Sequence, residues 1–152
     1  MPQVERSALV HYSCEQMFDL VNDITAYPEF VPGCVGARLL SSNDVHGNQV
    51  IEAELSISKA GIQQTFATRN TLHPHHTVDM QLLNGPFKSL QGGWKFEPLS
   101  DDACKVILQL DFEFSSKLLH FAFAKVFNEV TSRMVDAFAK RAKQVYGSGG
   151  TR

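Results

Sequence analysis

The sequence predicts an α+β domain in which a curved antiparallel sheet of seven strands wraps around one long C-terminal helix, with two short helices after the first strand. Three observations lead there. Between Cys34 and Ser115 apolar residues recur at every second position, the period of a strand with one wet face. After Ser115 they recur at every third or fourth position, as in a helix, up to Tyr146. Seven strands at about 4.8 Å spacing make a sheet roughly 30 Å wide, whereas a helix is about 10–12 Å across. One helix cannot cover a flat sheet of that width, so the sheet must curl around it.

The first element is "QVERSALVHY", whose alternation and β-branched content read as a strand. Ser13 and Gln16 have capping-box spacing and open a short helix through Met17, Phe18, Leu20 and Val21. Pro28 and Pro32 bracket "YPEFVP". Proline is tolerated in a first helical turn but not deeper, which predicts one more short helical turn and a break at Pro32. A six-strand meander follows. In "VIEAELSIS", Ile51, Ala53, Leu55 and Ile57 alternate with Glu52, Glu54, Ser56 and Ser58. In "VILQLDFEF", Val106, Leu108, Leu110, Phe112 and Phe114 alternate against Gln109, Asp111 and Glu113. The turn signals "NDVHGN", "KAG", "HPHH", "NGPF" and "LSDDA" separate the strands. Leu119, Ala122, Val126, Val130, Met134, Ala137 and Arg141 then stripe a helix from Lys117 that is on the order of 45 Å long. The domain is expected over residues 1–146, with "GSGGTR", residues 147–152, as a frayed tail.

Composition narrows the function classes. At 152 residues, 43% hydrophobic and 20% charged, the chain has the make-up of one globular domain. Eleven phenylalanines favour a wide interior or a wide apolar cavity. A net charge of −2 supplies no whole-protein field for DNA or an anionic membrane. Three widely spaced cysteines without a CxxC pair argue against a disulfide framework and against zinc, and fit a reducing compartment. Glu5 and Arg6 sit where a signal peptide would be apolar, and no apolar run approaches the roughly 20 residues of a membrane span. A cytoplasmic location is the expectation, with transient membrane contact left open.

A sheet wrapped on a helix leaves space for an apolar ligand. The inward strand positions Leu55, Ile57, Phe66, Met80, Leu82, Trp94, Phe96, Leu110 and Phe112 carry almost no polar atoms. They read as either a dry core or cavity walls. "NGPFKSLQGGWKFEPL" sets the only tryptophan behind a glycine pair, and Gly92–Gly93 reads as a bulge or bend that turns Trp94 inward. Tyr27, Phe30 and Val31 either staple the short helices to the sheet or face Phe87 across the mouth as a gate. His73, His75 and His76 share one turn, but no Cys or carboxylate is expected beside it, so it reads as a solvated hairpin loop and no metal site is expected. Cys34 and His120 lack the third group and oxyanion hole of a nucleophilic pair, and no catalytic residue is assigned. The last helix carries six basic residues against Glu129 and Asp136, either a solvated face or a phosphate-contacting patch.

Four segments carry a resemblance: "DITAYPEFVPGC", "SKAGIQQTFATRN", "NGPFKSLQGGWKFEPL" and "LDFEF". From Pro2 to Tyr146 the chain resembles the RatA/coenzyme-Q-binding family of the START/Bet v 1-like, polyketide cyclase-like helix-grip superfamily. The resemblance implies non-enzymatic binding of ubiquinone or a similar polyprenyl lipid in support of respiration, with no catalytic cofactor. It also implies binding to the 50S ribosomal subunit to block subunit association, as the toxin of a pair with a small antitoxin. A cyclase- or hydrolase-like enzyme acting on a hydrophobic small molecule is the alternative. On this reading Trp94, Phe66, Met80, Phe112, Phe96, Leu55, Val130 and Met134 form the cavity. Tyr27, Phe30, Val31 and Phe87 form its gate, and Lys140, Arg141 and Lys143 the RNA contact.

Overall fold

The Ser13 hydroxyl accepts the Gln16 backbone N–H at 3.1 Å, and the Gln16 side chain accepts the Ser13 N–H at 2.9 Å. This reciprocal cap starts helix α1 (Cys14–Asn22) directly after strand β1 (Gln3–Val10). A 3-10 helix, Ile24–Glu29, follows with Pro28 inside it, and the chain then turns at Pro32 into the sheet. The computed structural model describes residues 3–59 and 61–147. Residues 1, 2 and 60 of the expected domain and 148–152 of the expected tail lie outside the described residues.

The meander is β2 (Cys34–Val45), β3 (Asn48–Lys59), β4 (Ile62–His73), β5 (Thr77–Asn84), β6 (Phe87–Ser100) and β7 (Ala103–Phe114). All pairs are antiparallel, in the order β1-β7-β6-β5-β4-β3-β2. The first strand therefore closes against the last, with Gln3 opposite Asp111. Register shifts at Cys34/Gly36, Leu39/Ser41, Ala67/Thr68, Phe87/Ser89 and Pro98/Ser100 are the irregularities that bend the strands.

The glycine pair is not one of them. Gly92 and Gly93 stay in register with Leu110 and Gln109 on one side and Met80 and Asp79 on the other. Their φ angles are +135° and +151°. A Cβ at Gly92 would lie 2.1 Å from the Gln109 carbonyl oxygen, and one at Gly93 1.9 Å from that of Val78. The expected bulge is instead a continuous strand squeezed between two neighbours, in a conformation and at a spacing that only glycine accepts.

Helix α2 (Lys117–Tyr146) is capped by the Ser116 hydroxyl, which accepts the Leu119 N–H at 3.1 Å. At its far end the Gly147 N–H donates to the Lys143 carbonyl, and the Tyr12 hydroxyl donates to the Gly147 carbonyl. Gly147 thus belongs to the fold rather than to a tail. The buried face is wider than the expected stripe: Val126, Val130, Met134 and Ala137 are buried as expected, and a phenylalanine row beside them is buried too. Phe123, Phe127, Phe138 and Ala142 are fully buried, Ala122 is exposed and Arg141 is half-buried. Burying the phenylalanine row together with the expected one removes more apolar area from water than either row alone.

Candidate functional site

The cavity lies between the sheet and α2. Its walls come from β3 (Ala53, Leu55, Ile57), β4 (Phe66, Thr68, Asn70), β5 (Val78, Met80) and β6 (Leu90, Trp94). β7 adds Leu108 and Leu110, and α2 adds Phe127, Val130, Thr131 and Met134. The end is closed by Val21, Asn22, Ile24, Tyr27, Val31 and Cys34. It offers ≈ 50 Å³ to the centre of a water-sized sphere, room for roughly three to five waters at about 10–15 Å³ each. The expected wide cavity is therefore nearly closed in this conformation.

Six of the eight expected wall residues meet there: Trp94, Phe66, Met80, Leu55, Val130 and Met134. The Trp94 ring stands nearly perpendicular to Phe138, with centroids 5.2 Å apart. Phe96 and Phe112 do not reach the cavity. Phe96 packs edge-on against Phe18 of α1, and Phe112 packs against Phe127 in a phenylalanine cluster that adjoins the cavity through Phe66 and Phe127. Strand alternation puts both on the inner face, but the helices fill the space above them.

The gate expectation divides. Tyr27 and Val31 close one end of the cavity. Burial pushes the Tyr27 phenol well above its ordinary range, and its hydroxyl donates to the Val21 carbonyl. Phe30 lies instead against Tyr27 and Phe138, with the Arg141 guanidinium 5.0 Å above its ring. Phe87 is only 5% exposed and touches Phe66, Phe112, Phe114 and Phe127. It is core, and it does not face Phe30 across a mouth.

The polar lining was missed. Thr68 and Asn70 are buried, and the Thr68 hydroxyl donates to Asn70 Oδ1 at 2.8 Å. Both continue the alternation that begins at Phe66, so counting by twos along "FATRNTL" would have placed them inside. Two wall groups titrate, Tyr27 and Cys34, and burial raises both. Each stays neutral at neutral pH.

On the surface, Lys140 and Arg141 border a groove between the 3-10 helix and α2. Lys143 is exposed in the last turn. Arg141 does not project freely: it pairs with Glu29 at 3.2 Å and covers Phe30. Carboxylates do adjoin the histidine turn, Asp79 beside His73 at 3.1 Å and Glu15 beside His75 at 3.9 Å. The expectation that no carboxylate lies beside this turn is thus corrected: Asp79 follows His76 by three residues on β5, and α1 brings in Glu15. No group of three or more metal donors forms among the described residues. Cys14 and Cys104, 90 positions apart, bring their Sγ atoms to 3.4 Å as free thiols. No helix among the described residues is long and apolar enough to cross a membrane.

A family model described as polyketide cyclase / dehydrase and lipid transport matches residues 10–139. The Ribosome association toxin RatA of Vibrio cholerae is 56% identical over 147 residues, covering 97% of this chain and 99% of the relative. The chain belongs to the RatA/coenzyme-Q-binding family. A more distant member is the mitochondrial Coenzyme Q-binding protein COQ10 homolog B of Xenopus laevis, 35% identical over 95% of this chain and 59% of its own length. Two solved structures show the same helix-grip fold. The Zhui aromatase/cyclase from Streptomyces sp. R1128 has a TM-score of 0.79 at 18% identity and covers 99% of both chains. A START superfamily protein from Mycobacterium smegmatis has a TM-score of 0.75 at 23% identity, covering 94% of this chain and 98% of its own. In this RatA/coenzyme-Q-binding chain the fold puts the cavity beneath α2, with Lys125, Lys140 and Lys143 exposed on the same helix and Arg141 half-buried against Phe30.

Proposed function

We propose that the protein is a non-catalytic binder that holds a neutral polyprenyl quinone, or a lipid like it, between sheet and helix. The observation that carries this reading is the cavity wall: apolar side chains with a few uncharged polar groups and no ionised one. Such a wall favours a neutral apolar ligand over an ion. Its titratable groups are Tyr27, whose hydroxyl already donates to the Val21 carbonyl, and Cys34, both neutral at neutral pH, which supports binding over cyclase-like acid–base chemistry. The present volume is too small for a quinone ring, so binding expands the cavity. Met80 and Met134 are the unbranched, adaptable wall residues suited to yield. Trp94 reports entry directly. Titration with a short-chain ubiquinone should quench its fluorescence saturably, and lipid extraction of the purified protein should yield quinone. Absence of both would refute the reading.

A second reading, association with the large ribosomal subunit as a toxin restrained by a small antitoxin, is favoured by one finding. Relatives named for ribosome association match this chain at 51–56% identity over 97% of its length. This activity belongs to the outer surface and to the cytoplasm. Lys140 and Lys143 are the freely exposed cations among the three expected contacts, because Arg141 is held by Glu29 and Phe30. Lys140→Glu with Lys143→Glu should reduce co-sedimentation with 50S particles, and binding of the parent should weaken steeply between about 50 and 200 mM salt. Undiminished sedimentation of the double variant would move the contact to another face.

A further inference from the structure

We infer that Thr68 and Asn70 form the polar subsite of the cavity, and that the Asn70 amide donates to a carbonyl oxygen of the bound ligand. This deepens, and rests on, the reading of the cavity as a quinone site. β4 turns Phe66, Thr68, Asn70 and Leu72 to the interior, and all four are buried. Across the sheet Thr68 faces Ala53, while Asn70 faces Ile51 and Met80, so the pair is a polar island on an apolar surface.

An island of this kind is costly unless its hydrogen bonds are made. One is. The Thr68 hydroxyl donates to Asn70 Oδ1 at 2.8 Å, which satisfies the acceptor end of the amide and leaves Nδ2 as the end that needs a partner. Asn70 is 6% exposed and lines the cavity; its Oδ1 is taken by Thr68, and its Nδ2 is not among the sealed, unpartnered atoms of the described residues, so it keeps access to the cavity space. The other polar wall groups are engaged. The Thr131 hydroxyl donates to the Phe127 carbonyl at 2.8 Å, Asn22 Nδ2 to the Phe18 carbonyl at 2.9 Å, and the Tyr27 hydroxyl to the Val21 carbonyl.

The chemistry that completes Asn70 is an acceptor. No Lys, Arg or His is in the wall to neutralise an anion, so the acceptor is a neutral oxygen. A ring carbonyl set in an otherwise apolar molecule has that property, and an aliphatic lipid chain alone does not.

Two ligands of matched shape test this by calorimetry: a short-chain ubiquinone, and its analogue with both ring carbonyls replaced by C–H. The parent should bind the quinone about tenfold more tightly, the worth of one well-made buried hydrogen bond. Asn70→Leu should bind the two alike. If the single variant does not fold, Thr68→Val with Asn70→Leu removes both members of the internal hydrogen bond and leaves no polar atom orphaned. In the parent itself, the infrared carbonyl stretch of the bound quinone should shift to lower frequency than in hexane. A quinone preference that survives Asn70→Leu, or an unshifted carbonyl stretch, would overturn the subsite while leaving the cavity reading standing. A parent that binds neither ligand would overturn both.

Discussion

Replacing Phe87 with alanine removes a ring that touches four other phenylalanines, stacked on Phe114 at 4.9 Å and perpendicular to Phe127 at 5.0 Å. At 5% exposure the side chain is fully part of the core. Its transfer from water accounts for roughly 2–3 kcal/mol. The rings around it are held by β4, β7 and α2, which cannot all close on the void, and the cavity left behind raises the cost to about 3–5 kcal/mol. For a domain of this size that corresponds to a fall in Tm of roughly 6–20 °C at 2–4 °C per kcal/mol. The assay is thermal unfolding followed both by far-UV circular dichroism and by Trp94 fluorescence, where coincident curves license a two-state treatment. A gate residue behaves differently. A variant that melts within about 2 °C of the parent yet takes up and releases quinone at altered rates would refute the core assignment and restore Phe87 to the mouth of the cavity.

Gly93→Ala should be worse than an ordinary strand glycine substitution. The backbone strain alone costs about 1–3 kcal/mol, and the overlap with the Val78 carbonyl oxygen forces β5 and β6 apart; urea denaturation within about 1 kcal/mol of the parent would contradict the close approach. Arg141→Ala should cost about 1 kcal/mol, since the guanidinium leaves both Glu29 and the Phe30 face in a partly exposed setting. An equal loss in Glu29→Gln would show the ion pair, not the ring, to be the larger part. The Cys104 thiol is pushed up to about 12, first by burial and then by Cys14 beside it. The folded state keeps the proton that the unfolded chain releases near its ordinary value of 9.0. Stability is therefore intact below about pH 9 and falls as pH rises toward 12. Cys104→Ala should have a shallower alkaline decline in denaturant midpoint, and an unchanged slope would remove Cys104 as its source.

Elements with strong local signals were readable in the sequence. The Ser13–Gln16 spacing, the alternation from Ile51 to Ile57 and the glycine- or proline-bearing turns each depend on neighbours within a few residues, and each appears where the pattern places it. Features that depend on which elements meet were not readable. Phe96 and Phe112 share an inner face with Trp94, and only the positions of α1 and α2 decide that Trp94 alone borders space. The burial of a phenylalanine row beside the expected stripe on α2, the retention of Arg141 by Glu29, and the meeting of Cys14 with Cys104 are decided across long sequence separations. Asn70 is the instructive case. Its position was legible from the alternation, but a polar side chain on an inward face reads as noise until its neighbour Thr68 is seen to occupy half of it.

The closure of β1 on β7 has a consequence for how the chain is made. Gln3 is joined to Asp111, 108 positions later, and β1 has no other strand beside it in the sheet. During synthesis at about 5–20 residues per second, the first strand must wait roughly 5–20 s for its partner to be translated. The hairpins from β2 to β6 pair as they emerge, whereas β1 stays an unpaired, half-apolar ribbon until the last hairpin is complete. A nascent chain stalled before Ala103 should thus hold a partly formed sheet with an unsatisfied β6 edge, the kind of surface that recruits chaperones or neighbouring chains. Only when β7 seats between β1 and β6 can α2 fold down and seal the interior.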